Sequence, residues 1–141
     1  MSVKPLFVDT AYIYALFNKR DKWHEKAIEW QQKIALENRR LLTTQFILTE
    51  IGDGLSPLKL RQSAANIIHA LDNSEFVEII SASSELFLEG LNLYENRLDK
   101  DWGLTDCISF VVMENHDLSD VLTTDNHFRQ AGFRALLLET E

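Results

Sequence analysis

Leu6-Phe7-Val8-Asp9-Thr10-Ala11 is a short apolar run that stops on an acid and passes straight into a helical pattern. A run that is apolar at every position fits a strand covered on both faces, not an alternating strand with one wet face. Residues 41–44, 76–80, 121–124 and 135–138 have the same character and are expected to be four more strands. Between the runs lie amphipathic stretches. Trp23, Ala27, Trp30 and Ile34 fall at i, i+4, i+7 and i+11, and Leu60, Ala64, Ile67 and Leu71 repeat the spacing. So do Phe87, Leu91, Tyr94 and Leu98, while Leu104, Cys107, Ile108, Val111 and Val112 make a broader apolar face. Gly52, Gly54 and Pro57 mark a break between two helices. Strands alternating with helices imply an α/β domain of three layers with a parallel sheet.

Composition bounds the rest. The chain has 141 residues, 45% hydrophobic and 26% charged, which excludes wholesale disorder and suits one domain over 1–141. The formal net charge of −8 excludes a basic, charge-driven nucleic-acid binder. A single cysteine, Cys107, excludes an internal disulfide and cysteine-rich zinc frameworks. The first apolar run is broken too soon for a signal peptide, and no run approaches the ~20 residues of a membrane helix. A cytoplasmic location, with no membrane association, is expected.

Ligands of an open parallel sheet bind outside the carboxyl ends of its strands. The acids expected at that edge are Asp9, ending the first strand; Glu50, one to two turns into the helix after the second; Asp106, in the first turn of the helix leading to the fourth; and Asp125, just after the fourth. Asp117 and Asp120 precede the fourth strand and belong to the opposite edge. Each acid alone has an ordinary reading: Asp9 as a helix N-cap, Asp106 on a helix dipole, Asp125 in a turn, Glu50 as a solvated helix position. Together they make a different case. Two carboxylates about 4 Å apart repel by roughly 4 kcal/mol at an effective dielectric near 20, so four need protons, bases or a divalent cation. Hard oxygen donors suit Mg²⁺ or Mn²⁺, and such a site activates water against a phosphodiester. Thr10, Thr105 and Asn126 neighbour the acids and are expected to orient them.

The sequence resembles the PIN-domain ribonucleases, most closely the VapC-type toxins of bacterial toxin–antitoxin modules, over nearly its whole length. The resemblance rests on four motifs in order. They are Phe7-Val8-Asp9-Thr10-Ala11, with Ala15-Leu16-Phe17 and residues 21–27 behind it; Thr49-Glu50-Ile51; Asp101-Trp102-Gly103-Leu104-Thr105-Asp106-Cys107; and Leu122-Thr123-Thr124-Asp125-Asn126-His127-Phe128, with Ala131-Gly132-Phe133 after it. It implies a PIN-like sheet of order 3-2-1-4-5 and a Mg²⁺- or Mn²⁺-dependent endoribonuclease that leaves 5′-phosphate and 3′-hydroxyl ends. Asp9, Glu50, Asp106 and Asp125 carry over as its acidic quartet, the metal falling to Asp9, Asp106 and Asp125. Thr105 matches the small hydroxyl residue before the third acid. It further implies an RNA substrate, a homodimer, and an antitoxin protein whose tail enters the acidic groove. The glycine-bearing segment 52–57 departs mildly from the pattern.

Trp102, in the loop before Asp106, is a candidate for stacking on a base, and Lys19 and Arg20 are candidates for holding RNA phosphates. His24 is read as structural. His127, two residues past Asp125, is read first as a helix-turn residue and second as a phosphate contact. Two other functions fit parts of the pattern. One is a phosphotransfer hydrolase with Asp9 as nucleophile, although the usual second Asp is replaced by Ala11. The other is a non-catalytic RNA- or protein-binding module with a structural cation site.

Overall fold

In a computed structural model that describes residues 3–140, the chain runs through β1 (Leu6–Val8), α1 (Thr10–Phe17), α2 (His24–Glu37), β2 (Leu41–Thr44), α3 (Gln45–Gly54) and α4 (Leu58–Asn73). It continues through β3 (Val77–Ile80), α5 (Ser84–Asn96), α6 (Leu104–Asn115), β4 (Asp120–Leu122), α7 (Asn126–Gln130) and β5 (Arg134–Ala135), ending in a 3₁₀ turn at Leu136–Leu138. Met1, Ser2 and Glu141, at the ends of the expected 1–141 domain, lie outside the described residues. The five strands are parallel and stand in the order β3-β2-β1-β4-β5, as the sequence reading expects. No helix among the described residues is long and apolar enough to cross a membrane.

β1 is the central strand, pairing Leu6 with Leu41 on one side and Phe7 with Val121 on the other. Leu6, Phe7 and Val8 are all buried, which is why the run carries no alternation. The Phe7 ring meets Phe128 of α7 at 6.5 Å between centroids, and Phe128 meets Phe110 of α6 edge-on at 4.9 Å. Edge-on aromatic pairs add about 0.5–1.5 kcal/mol beyond their buried area. This cluster fixes α6 and α7, and the acids they carry, against the sheet.

Three expectations need correction. The fifth strand spans only two residues, and the rest of the expected 135–138 strand is the 3₁₀ turn. Leu136 and Leu137 are buried there and Leu138 is half-buried, so the apolar run reflects burial while its backbone is a tight turn. The fourth strand ends at Leu122, and Thr123 leaves the sheet because its hydroxyl is engaged with two acidic segments. The expected α5 stripe faces outward: Phe87, Tyr94 and Leu98 are 39, 47 and 91% exposed. α5 instead buries Leu86 and Gly90. A Cβ at Gly90 would stand 2.3 Å from Ile108 Cγ1, so α5 and α6 approach at the one residue without a side chain.

Candidate active site

Thr44 caps α3, its hydroxyl accepting the Ile47 N–H at 3.1 Å, and this start places Glu50 in the second turn. On β2 the buried Thr43 hydroxyl donates to the Val8 carbonyl at 2.9 Å, holding the end of β1 where ladder pairing stops. Asp9 follows at once. It occupies the N-cap position of α1, yet its carboxylate makes no cap hydrogen bond. Oδ2 instead accepts from the Thr123 hydroxyl at 2.6 Å. The ordinary reading of Asp9 as a helix cap therefore fails, and its carboxylate turns toward the β4 side of the edge.

Each remaining acid is held by a local donor. Glu50 Oε1 accepts from the Thr10 hydroxyl, and the Glu50 carbonyl accepts from Tyr14 Oη at 2.9 Å. Asp106 Oδ2 accepts from the Gly103 N–H at 3.2 Å and lies 3.0 Å from His127 Nδ1. Asp125 Oδ1 accepts the His127 N–H at 2.8 Å and so starts α7, and it lies 3.5 Å from His127 Nδ1. One donor atom from each of Asp106, Asp125 and His127 fall together within 4.8 Å. Among the described residues no Lys or Arg pairs with any of the four acids.

The electrostatics follow from that crowding. Burial pushes the Asp9 carboxyl up to about 7; the Thr123 hydrogen bond opposes it, and the charges of Asp106, Glu50 and Asp125 reinforce it. Burial is also the main cause that raises Glu50 and Asp106, with the other acids adding to it. The hydrogen bond to Asp106 raises the His127 imidazole. Acids that hold protons against burial and one another are what a divalent cation would relieve. The carboxylate oxygens fit a hard divalent ion, the adjacent imidazole is a donor that transition dications accept, and among the described residues no Lys or Arg pairs with the acids.

The supporting residues divide. Thr10 does orient Glu50. Thr105 lines a cavity with Glu50 and Asp53. Asn126 opens α7 with an exposed side chain that makes no hydrogen bond among the described residues. Sequence reading missed Thr123 and Tyr14 as supporting residues; His127 does take the expected helix-turn place, its N–H on Asp125, but its ring also reaches Asp106, which the sequence did not indicate. The only sequence signal for Thr123 was its position two residues before Asp125.

Trp102 is corrected outright. It is 5% exposed, its ring meets Phe110 edge-on at 5.0 Å, Arg97 covers a face at 4.7 Å, and Nε1–H donates to Gln130 Oε1 at 3.0 Å. No face is left for a base. Lys19 and Arg20 are exposed, but they follow the far end of α1, about 12 Å of helix away from Asp9. Lys19 lines a cavity there with Tyr14, Gly54 and Lys59. His24 is structural as expected, its Nδ1 lying 2.7 Å from the Ala15 carbonyl and tying α2 to α1. Asp117 and Asp120 stand at the opposite edge, Asp117 paired with Lys4.

Residues 6–134 match the PIN domain family. The chain belongs to that family. No curated protein sequence matches the chain. Solved structures of similar fold include VapC20 of Mycobacterium tuberculosis, a sarcin-ricin loop cleaving toxin. It has a TM-score of 0.77 at 22% identity, with 91% of this chain and 95% of that one covered. FitAcB from Neisseria gonorrhoeae is similar at a TM-score of 0.62 and 18% identity, covering 92% of this chain and 94% of its own. As a PIN domain, the chain carries its acids where the sheet edge opens.

Proposed function

We propose that this PIN domain is a divalent-metal-dependent endoribonuclease that hydrolyses RNA phosphodiester bonds at Asp9, Glu50, Asp106 and Asp125, and that it is the toxin of a toxin–antitoxin pair. One observation carries the reading: four carboxylates from four separate elements meet at one edge of a PIN fold, held by hydroxyl, amide and imidazole groups, and among the described residues no Lys or Arg pairs with them. Such an arrangement stores charge for a cation and a phosphate, and it is costly for a merely structural purpose.

Asp9, Asp106 and Asp125 would hold Mg²⁺ or Mn²⁺. A cation there supplies a Lewis acid for the scissile phosphate and lowers the pKa of an attacking water. The chain's own groups prepare that geometry. Thr123 aims Asp9, Thr10 aims Glu50, and the Gly103 N–H and His127 fix Asp106. Glu50 keeps one oxygen free of Thr10 to accept a proton from water. An RNA strand leaving the acids along α1 meets Lys19 and Arg20, whose charges hold its phosphates. A basic segment of an antitoxin would occupy the same acidic edge. The outward apolar face of α5 supports a homodimer, and the site of action is the cytoplasm.

The test is cleavage of a mixed RNA pool with Mg²⁺, with Mn²⁺ and with chelator, beside Asp106→Asn. Cutting that needs metal, is lost in the variant and leaves 5′-phosphate and 3′-hydroxyl ends is expected. Ends carrying 2′,3′-cyclic phosphate would overturn the mechanism, because they require the ribose hydroxyl and not water as nucleophile.

A further inference from the structure

His127 belongs to none of the four acids, yet it stands between two of them. Its Nδ1 lies 3.0 Å from Asp106 Oδ2 and 3.5 Å from Asp125 Oδ1. These are hydrogen-bond distances, and they are also the edges of a coordination polyhedron. With bonds of about 2.1 Å in an octahedron, neighbouring donor atoms stand about 3 Å apart. The three residues offer one donor atom each within 4.8 Å of the others, so a small closing movement lets them face one ion. In the metal-free protein Nδ1–H donates to Asp106; an ion displaces that proton, and the neutral ring, with its proton on Nε2, then presents the Nδ1 lone pair to that point.

The backbone holds the ring there. The His127 N–H is bonded to Asp125 Oδ1 at 2.8 Å, and the next residue, Phe128, is fully buried between Phe7 and Phe110. These contacts fix the backbone of His127, and so the Cβ from which its ring reaches Asp106. The other side of the edge differs in chemistry. Asp9 and Glu50 are engaged by the hydroxyls of Thr123 and Thr10, so that side offers oxygen alone.

We infer that His127 is a nitrogen ligand that joins Asp106 and Asp125 to form a mixed oxygen–nitrogen site, selecting a first-row transition dication over Mg²⁺. The inference rests on the metal-dependent reading above and narrows it. Mg²⁺ prefers oxygen and keeps its waters, whereas imidazole is a good donor to transition dications.

The test uses the full chain freed of metal, with Mn²⁺ as probe. Calorimetry gives the affinities for Mn²⁺ and Mg²⁺, and pulsed electron paramagnetic resonance of the Mn²⁺-loaded protein detects a coordinated imidazole nitrogen. The wild-type protein is expected to show that nitrogen coupling. His127→Asn is expected to lose it, along with about tenfold or more in Mn²⁺ affinity and less than about threefold in Mg²⁺ affinity. The wild-type spectrum decides the matter even if the variant folds poorly. Mn²⁺ binding that is lost in Asp106→Asn but shows no nitrogen coupling in the wild type overturns the His127 assignment alone. Failure of the wild type to bind either ion, or full binding by Asp106→Asn, overturns the metal-dependent reading and this assignment with it.

Discussion

The Thr123 hydroxyl donates to Asp9 Oδ2 at 2.6 Å and accepts the backbone N–H of Asp125 at 3.0 Å, so one side chain joins the acid that ends β1 to the acid that follows β4. Both bonds are short and Thr123 is fully buried, so its hydroxyl cannot turn to water instead. Thr123→Val keeps the shape and removes both bonds. It is expected to cost about 1–2 kcal/mol in denaturant unfolding of the metal-free protein, and to weaken Mn²⁺ binding by misaiming Asp9. Thr123→Ser, which keeps the hydroxyl, should restore most of the Mn²⁺ affinity. Equal Mn²⁺ binding by the valine variant and the wild type would show that Asp9 needs no aiming.

The raised pKa of Asp9 makes stability depend on pH with a definite sign. The unfolded carboxyl titrates near its ordinary value of 3.8, and burial lifts the folded one to about 7. Between those values the folded protein holds a proton that the unfolded chain has released. Stability of the metal-free protein is thus fully present below the lower value and is lost as pH rises through the upper one. The raised Glu50 and Asp106 act in the same direction. Thermal melts in chelator should give a Tm that falls between about pH 4 and about pH 7, and Asp9→Asn should flatten the slope. Metal binding must expel the same proton, so the Tm gain on adding Mn²⁺ should grow with pH over this interval. A Tm in chelator that rises with pH would contradict the buried, protonated Asp9.

Two glycines separate packing from backbone propensity. A Cβ at Gly90 would lie 2.3 Å from Ile108 Cγ1 and 3.1 Å from Ile108 Cα, so α5 and α6 must part to admit it. Overpacking of that kind costs about 1–3 kcal/mol, of which the better helix propensity of alanine returns about 0.5–1. Gly90→Ala is therefore expected to destabilise. Because α6 carries Asp106, it should weaken metal binding as well. At Gly52 a Cβ meets only Ile68 Cδ1, at an ordinary 3.8 Å, inside α3. Gly52→Ala should raise stability by about 0.5–1 kcal/mol. Urea midpoints of the two variants moving in the same direction would refute the packing argument.

The same glycine explains where the sequence misleads. Phe87, Leu91, Tyr94 and Leu98 satisfy helical spacing, and so do Leu86, Gly90 and Leu93 one step round the helix. Hydrophobicity favours the first set. The close approach to Ile108 requires the second, and a glycine carries no hydrophobic signal to reveal it. The alternation of strands and helices and the edge at which Asp9, Glu50, Asp106 and Asp125 gather were legible because short apolar runs and the positions of acids after them are local features, whereas the sheet order came only through the resemblance to PIN domains. Thr123 and His127 were not legible, because their partners lie 114 and 21 residues away in sequence. Trp102 misled for the same reason: it is enclosed by Arg97, just past the end of α5, by Phe110 of α6 and by Gln130 of α7.

The face that α5 turns outward has a consequence for assembly. Phe87, Leu88 and Tyr94 are exposed on α5 and Leu98 just beyond its end, and Phe87 and Leu88 share a groove with Phe46 of α3. Exposed apolar groups gathered this closely mark a surface that another protein covers. If a second copy covers it, light scattering of the purified protein should give twice 16.3 kDa at micromolar concentration. Replacing Phe87 and Leu88 together by Glu should then yield a monomer. Its fold should survive, because neither side chain is buried in the core of its own chain. The metal site should survive too, since Glu50, Asp106 and Asp125 take their hydrogen-bond partners from within one chain. A wild-type protein that stays at 16.3 kDa across that concentration range would remove the homodimer and leave the α5 face to a different partner.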